Sequence, residues 1–239
     1  MKSLILVKLF LSFKHKLIYT YMEQFYIDHL KKSFENGEHC QSKINQDILN
    51  LDGMTGVYTR HFYNNLLNFE DARYLEIGTW KGSSVCSAMF GNKAKVVCID
   101  HFGEGEQGGV REAFYKNFEK FKGDNDATFI EQDSFTVDVS KLPFKFNIYM
   151  YDGNHEYESH YRALSYYYEC LDDTFIYIVD DWNTQCIRDG TRAALKALNF
   201  NILYEKELRL TYNNQHTPPE IAHKTWWNGV YMAVLQKSA

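Results

Sequence analysis

From residue 73 onward, short apolar or β-branched runs alternate with helix-length amphipathic segments, the pattern of a parallel sheet wrapped by helices. The runs predict strands at Arg73–Gly78, Lys95–Asp100, Ala127–Glu131, Phe146–Asp152 and Thr174–Asp181. Helices are expected between them at Gly82–Phe90, Val110–Phe121, Tyr157–Leu171 and Thr184–Leu198. Two further strand-like runs, Phe200–Leu208 and Asn228–Gln236, have no helical period between them and read as a hairpin. One of its strands would lie antiparallel in an otherwise parallel sheet. Residues 22–70 are polar-helical and precede the first strand, so they are expected to cap the sheet's carboxyl edge. The expected organisation is a helical extension and cap over residues 1–70, followed by one α/β domain over 71–239.

Composition narrows the class. Hydrophobic residues make up 45% of the 239 and charged residues 24%, a globular balance with too few prolines, 3, for linker or collagen behaviour. A net charge of −5 leaves no general basic field for nucleic acid. The five cysteines (Cys40, Cys86, Cys98, Cys170, Cys186) are scattered without a CxxC pair, as expected of reduced thiols in a cytoplasmic protein. The apolar stretch 3–21 is broken by Lys8, Lys14 and Lys16 and is too short between lysines to span a bilayer. It leaves three readings open: a helix packed on the body, a membrane-surface helix, or an extension upstream of a start at Met22.

The first strand-to-helix turn carries chemistry. In Glu76-Ile77-Gly78-Thr79-Trp80-Lys81-Gly82-Ser83-Ser84, glycines allow positive φ and close approach of a ligand, and the helix start offers unpaired N–H groups. The next strand ends in Asp100, where an acid grips the hydroxyls of a ribose. The spacing is GxxxG rather than the GxGxxG that seats a pyrophosphate, which favours a nucleoside without a diphosphate over NAD.

Glu76-x-Gly78-x-x-x-Gly82 followed by a strand-end Asp100 resembles the cofactor signature of class I S-adenosylmethionine-dependent methyltransferases. The likeness extends over about residues 73–236 and matches that family's Rossmann-like, mostly parallel seven-stranded sheet with helices on both faces and a terminal antiparallel hairpin. It implies a cofactor site of Glu76, Gly78, Thr79, Gly82 and Ser83 around the methionine and ribose, with Asp100 on the ribose hydroxyls. Asp133, within Gln132-Asp133-Ser134 after the third strand, would meet the adenine amino group.

A second set of residues lies at two later strand ends. Phe146–Tyr151 runs into Asp152-Gly153-Asn154-His155, and Phe175–Val179 into Asp180-Asp181-Trp182-Asn183. A right-handed crossover makes these strands parallel neighbours, about 4.8 Å apart, with their carboxyl ends at the ligand-binding edge. Asp152, Asp180 and Asp181 then converge and repel unless a proton or cation sits among them. Oxygen donors without a thiolate suit Mg²⁺, Mn²⁺ or Ca²⁺. The bland alternatives are a helix cap for Asp180-Asp181 and an ordinary turn for Asp152-Gly153. His155, three positions after Asp152, is within reach of a cation-bound substrate oxygen and suits a general base. Asp172-Asp173, before its strand, belongs to the opposite edge and is expected in solvent.

The arrangement resembles two metal-dependent O-methyltransferase groups, the catechol type and the macrocin (macrolide-sugar) type. Asp152-Gly153-Asn154-His155 with a later Asp180-Asp181 is more similar to the macrocin type, His155 standing where the catechol type has Lys. That likeness implies Asp152, Asp180 and Asp181 as metal ligands and His155 as the catalytic base. The expected function is divalent-metal-assisted O-methylation of a hydroxylated small molecule, a sugar or glycoside among the options. A silent nucleoside-binding module and an NAD-linked oxidoreductase are the alternatives. Neither nucleic acid nor a membrane is expected as a partner, and a homo-oligomer stays open. Thr59-Arg60-His61 could face the sulfonium or form the polar outer face of a helix. Trp182, Trp226 and Trp227 could wall the acceptor or pack in the core. His160 and Tyr157 are expected to pack or support.

Overall fold

The computed structural model describes residues 21–103 and 109–238. The three readings of the stretch 3–21 therefore fall, except for Tyr21, outside the described residues. In chain order the elements are helix α1 (21–38), α2 (Gln46–Leu49), α3 (Val57–Leu66), β1 (Arg73–Ile77), α4 (Ser83–Met89), β2 (Lys95–Asp100), α5 (Val110–Phe121) and β3 (Asp126–Glu131). There follow β4 (Phe146–Tyr151), α6 (Tyr157–Tyr167), β5 (Leu171–Asp180), α7 (Gln185–Ala197), β6 (Asn201–Leu208), α8 (Pro219–Ala222) and β7 (Val230–Gln236). No helix among the described residues is long and apolar enough to cross a membrane.

The seven strands form one sheet in the order β3-β2-β1-β4-β5-β7-β6. All neighbours are parallel except β7, which runs antiparallel to both β5 and β6. This is the Rossmann-like sheet with its terminal hairpin that the sequence pattern implied. Because strand side chains alternate, the sheet separates two apolar layers. Tyr74, Cys98, Ile148, Met150, Ile176, Ile178, Met232 and Val234 face α1, α3, α4 and α5. Leu75, Ile99, Tyr149, Tyr151, Tyr177, Val179 and Tyr231 face α6 and α7. The central strands are buried on both faces, which explains why they read as continuous apolar runs.

Several placements differ from expectation for identifiable reasons. Helix α6 stops at Tyr167 rather than Leu171, and a 3-10 turn at Tyr168–Cys170 leads straight into a longer β5. Lys237 Nζ takes up the carbonyls of Tyr168 and Leu171 there, at 2.6 and 2.7 Å, satisfying acceptors the ending helix leaves open. The hairpin strands are joined by residues 209–229, which include the short α8 instead of a simple turn. Residues 21–66 lie against one sheet face: Tyr26, Leu30, Phe34, Phe62 and Leu66 belong to the same apolar layer as the strands. Only the segment around Met54 reaches the carboxyl edge, at the cavity described below. At the amino edge, Asp172 is not left to solvent but pairs with Arg73 at 2.7 Å.

Candidate active site

A cavity of about 550 Å³ opens at the carboxyl ends of β1, β2, β4 and β5. Its walls come from the β1–α4 turn (Gly78, Trp80), the β2 end (Asp100, His101), Gln132-Asp133-Ser134, the β4 end (Asp152 to His155) and Asp180-Asp181. Met54, His216 and Trp227 also line it. Among the described residues no lysine or arginine lines it.

The β1–α4 turn is held by Asp100. Its Oδ2 accepts the backbone N–H groups of Thr79 and Trp80 at 2.7 and 2.8 Å, and its Oδ1 accepts that of Phe102 at 2.7 Å. Gly78 adopts φ +85, and a Cβ there would stand 1.9 Å from the Asp152 carbonyl oxygen. Its lack of a side chain is required by the neighbouring strand end as much as by any ligand. Gly82 adopts φ +83 as the N-cap of α4.

Several residues expected around the cofactor do not line the cavity. Glu76 is fully buried beneath the turn, where Ser84 Oγ and Tyr74 OH donate to it at 2.5 and 2.6 Å. Burial raises its pKa to about 8, against the lowering effect of the two hydroxyls. Thr79, Gly82 and Ser83 are likewise turned away, Ser83 Oγ lying 2.7 Å from Thr55 Oγ1. The strand alternation that places Glu76 on the α4 face, opposite Ile77, is the physical reason for its seclusion. Of that set Gly78, Asp100 and Asp133 remain at the cavity.

Of the three acids expected to converge, Asp152 and Asp181 meet, and His155 rather than Asp180 is the third donor beside them. Tyr151 pairs with Val179 in the parallel β4–β5 ladder, which brings the following acids together. One donor atom from each of Asp152, His155 and Asp181 lies within 4.8 Å of the others. His155 Nε2 stands 3.0 Å from Asp181 Oδ2 and 3.4 Å from Asp152 Oδ1. Partial burial pushes the imidazole pKa down, but the bond to Asp152 and the charges of Asp152 and Asp181 raise it to about 9 overall. Asp152 is pushed up to about 6 by burial, with the His155 bond opposing and the Asp181 charge adding. Asp180 lies deeper, lining the cavity floor; burial, then the charges of Asp152 and Asp181, raise its pKa well above the usual carboxylate range. Its Oδ1 has no hydrogen-bond partner among the described residues. The converging donors are thus Asp152, His155 and Asp181, with Asp180 behind them.

The remaining candidates separate clearly. Thr59, Arg60 and His61 are buried away from the cavity. Arg60 instead donates to the carbonyls of Thr55, Ile48 and Leu51, at 3.0, 2.6 and 2.8 Å, and so fixes the segment that delivers Met54. Trp182 stacks on Tyr231 and Trp226 on Phe34, both in the core, whereas Trp227 reaches the cavity. His160 is buried edge-on against Tyr151, and burial lowers its pKa to about 3. His101, His216 and Met54 carried no signal in the pattern. The one available hint for His216 was the length of the β6–β7 connection, since long connections at a sheet's carboxyl edge tend to serve function.

Residues 75–182 match the family model described as a methyltransferase domain. No curated protein matches the chain significantly. Among solved structures the chain is similar to the O-methyltransferase from Bacillus cereus in complex with SAH, at 13% identity over 87% of this chain and 91% of that one, TM-score 0.53. It is also similar to the SAH-bound methyltransferase PaMTH1 of Podospora anserina, at 12% identity over 89% and 88%, TM-score 0.54. At such identities the likeness is one of fold. Sheet order and the matched segment together give the chain a methyltransferase fold.

Proposed function

We propose that the chain moves the methyl group of S-adenosylmethionine to an oxygen of a hydroxylated small molecule, with a divalent cation assisting. The observation that carries this reading is the convergence of Asp152, His155 and Asp181, with Asp180 behind them, in the same cavity as the Gly78–Asp100 turn. Asp100 Oδ2 takes the backbone amides of Thr79 and Trp80, with Thr79 Oγ1 at 3.5 Å, whereas Oδ1 takes only that of Phe102 and keeps an acceptor position for a ribose hydroxyl. Gln132, Asp133 and Ser134 offer polar groups for the adenine edge.

The donor set fits a hard cation. Its oxygen donors come without a thiolate and include the buried Asp180 Oδ1, which has no hydrogen-bond partner among the described residues, and no lysine or arginine among those residues lines the cavity to balance them. A divalent cation held by Asp152, Asp180 and Asp181 would supply the charge that stabilises an alkoxide. The protein's own part is to aim the acceptor and move its proton. As the acceptor oxygen bonds to the methyl carbon, the carbon–sulfur bond breaks and the hydroxyl proton passes to His155 Nε2. Held between two carboxylates His155 is an imidazolium, so it accepts that proton only when released from them in the neutral form.

Labelled S-adenosylmethionine offered with neutral hydroxylated acceptors and Mg²⁺ should yield methylated product, and SAH should raise the melting temperature. Turnover unchanged in excess EDTA refutes the cation's role; absence of any SAH effect on melting refutes the donor site.

A further inference from the structure

Beyond the acids themselves, one buried amide governs how Asp181 is presented. Asp181 adopts a left-handed backbone, φ 55, directly after β5. Its two carboxylate oxygens are divided: Oδ2 faces His155 in the cavity, while Oδ1 accepts from Asn228 Nδ2 at 2.8 Å. The oxygen of the same Asn228 amide accepts from Asn183 Nδ2 at 2.8 Å and from the Thr217 backbone N–H at 3.1 Å. Asn183 in turn donates to Thr217 Oγ1 at 3.0 Å and accepts the N–H groups of Leu210 and Thr211 at 2.8 and 3.1 Å. Asn183, Asn228 and Thr217 are all buried. Gly229, at φ +85, leaves room for this arrangement, since a Cβ there would meet Asn183 Oδ1 at 3.0 Å.

The chain of bonds joins two things that the fold keeps apart in sequence. One end is an acid of the converging cluster. The other is the segment 209–218 between β6 and β7, which brings His216 to the cavity wall. An amide has a fixed orientation: donor and acceptor lie on opposite branches, so Asn228 satisfies Asp181 and Thr217 together only in one rotamer. A buried network of this kind costs more to break in part than to leave whole.

We propose that Asn228 is a positioning residue that makes the aim of Asp181 and the seating of the cavity-wall segment 209–218 a single structural event. The part of this that concerns cation binding rests on the reading of Asp181 as a ligand given above; the coupling itself does not. Setting the acid's rotamer from this segment means that a disordered cavity wall and a misaimed acid occur together.

The test uses the full chain and two independent readouts. Hydrogen exchange is followed at the amides of Thr217, Leu210 and Thr211, and Mn²⁺ alone is titrated as the probe of the acid cluster. In Asn228→Ala the Thr217 amide should exchange at least about tenfold faster, for loss of one buried bond. The affinity for Mn²⁺ should fall about 10–100-fold, as when an outer partner of a ligand is removed. SAH affinity should hold, because the Gly78–Asp100 turn shares no bond with this network. Asp181→Ala supplies the reciprocal arm and should also speed exchange at Thr217. Asn183→Asp, which keeps the acceptor for Leu210 and Thr211 but loses both donors, covers the case in which Asn228→Ala fails to fold. It should loosen Thr217 while sparing Leu210 and Thr211. Wild-type exchange at Thr217 in both Asn228→Ala and Asp181→Ala overturns the proposal, as does a loss of SAH affinity equal to that for Mn²⁺. If the wild type binds no Mn²⁺ yet Thr217 responds to Asp181→Ala, the cation reading fails and the coupling stands.

Discussion

Replacing Glu76 with Gln separates what this acid does for the fold from any part in chemistry. Glu76 is fully buried, and its pKa is raised to about 8 from an ordinary value of 4.5. Burial is the main cause, and the charges of Asp152 and Asp100 add to it. The native protein therefore keeps a proton that the unfolded chain releases across that interval, so stability is full below the lower value and declines as pH rises toward the upper one. At about 1.4 kcal/mol per pH unit, this single group takes away on the order of 4 kcal/mol between pH 4.5 and 8. Protonation is sterically feasible: with the proton on Oε2, the Tyr74 hydroxyl can turn to Met150 Sδ, 3.0 Å away. Gln keeps the shape and cannot ionise, so the variant lacks this slope. Asp152 and Asp180 titrate in both proteins and largely cancel in the difference. Urea unfolding followed by tryptophan fluorescence from pH 5 to 8.5, in EDTA, gives the difference directly. The stability of Glu76→Gln relative to wild type should climb steadily with pH and level off above 8. A flat difference would mean that Glu76 is ionised in the native state, with the hydroxyls of Ser84 and Tyr74 outweighing burial.

Other outcomes follow from the same geometry. Gly78→Ala sets a Cβ 1.9 Å from the Asp152 carbonyl at φ +85. It should lose at least about 1–2 kcal/mol from backbone conformation alone, and SAH binding with it, as read by melting and calorimetry. Asp152→Ala should abolish Mg²⁺-dependent turnover while SAH affinity, measured by calorimetry, stays within about twofold, since it removes an acid and no part of the turn. Arg60→Met strands three carbonyls that the guanidinium now serves. It should cost about 2–4 kcal/mol in urea unfolding and raise the acceptor KM more than the SAH Kd, because the freed segment carries Met54.

How far the sequence discloses this molecule depends on how local each determinant is. The bounds of β2 and α5 follow from runs such as Lys95–Asp100 and the Phe114, Phe118, Phe121 stripe, whose periodicity is complete within the element. The meeting of Asp152 with Asp181 needs only strand order and the parallel rule, both legible. Helix α3 defeats such reading. Its polar residues Arg60, Asn64 and Asn65 suggest an outer face but are buried, because partners from elsewhere satisfy them. Asn64 serves the Lys43 amide and the Ser87 and Phe90 carbonyls; Asn65 serves the Gln41 carbonyl. Hydropathy cannot tell a solvated amide from one whose partners lie twenty residues away. Glu76 fails for the same reason, and so do Asn183 and Asn228, whose role exists only once β5, β6 and β7 are assembled.

Backbone strain marks the same cavity without reference to any motif. A left-handed backbone is tolerated by Asn and Asp but is a true outlier for a bulky aromatic side chain. Among the described residues, positive φ occurs at Asp71, Asn199 and Asn214 and at exposed Cys40, all outside the cavity wall. The three aromatic cases are Trp80, Phe102 and Trp227. Trp80 and Trp227 line the cavity, and Phe102 binds Asp100 through its backbone N–H. Asp181, the fourth case at the site, is kept in place by Asn228. Each such residue costs about 1–3 kcal/mol and persists only where surrounding bonds over-determine it. Here those bonds are identifiable: Asp100 fixes the turn that holds Trp80, and the Asn183–Asn228 pair flanks Trp227 and holds Asp181. A fold that merely needed to close its sheet would relax these positions. That it instead commits two networks to hold them, one at the β1–α4 turn and one at the end of β5, is what a preorganised site requires, and it agrees with the proposed methyl transfer.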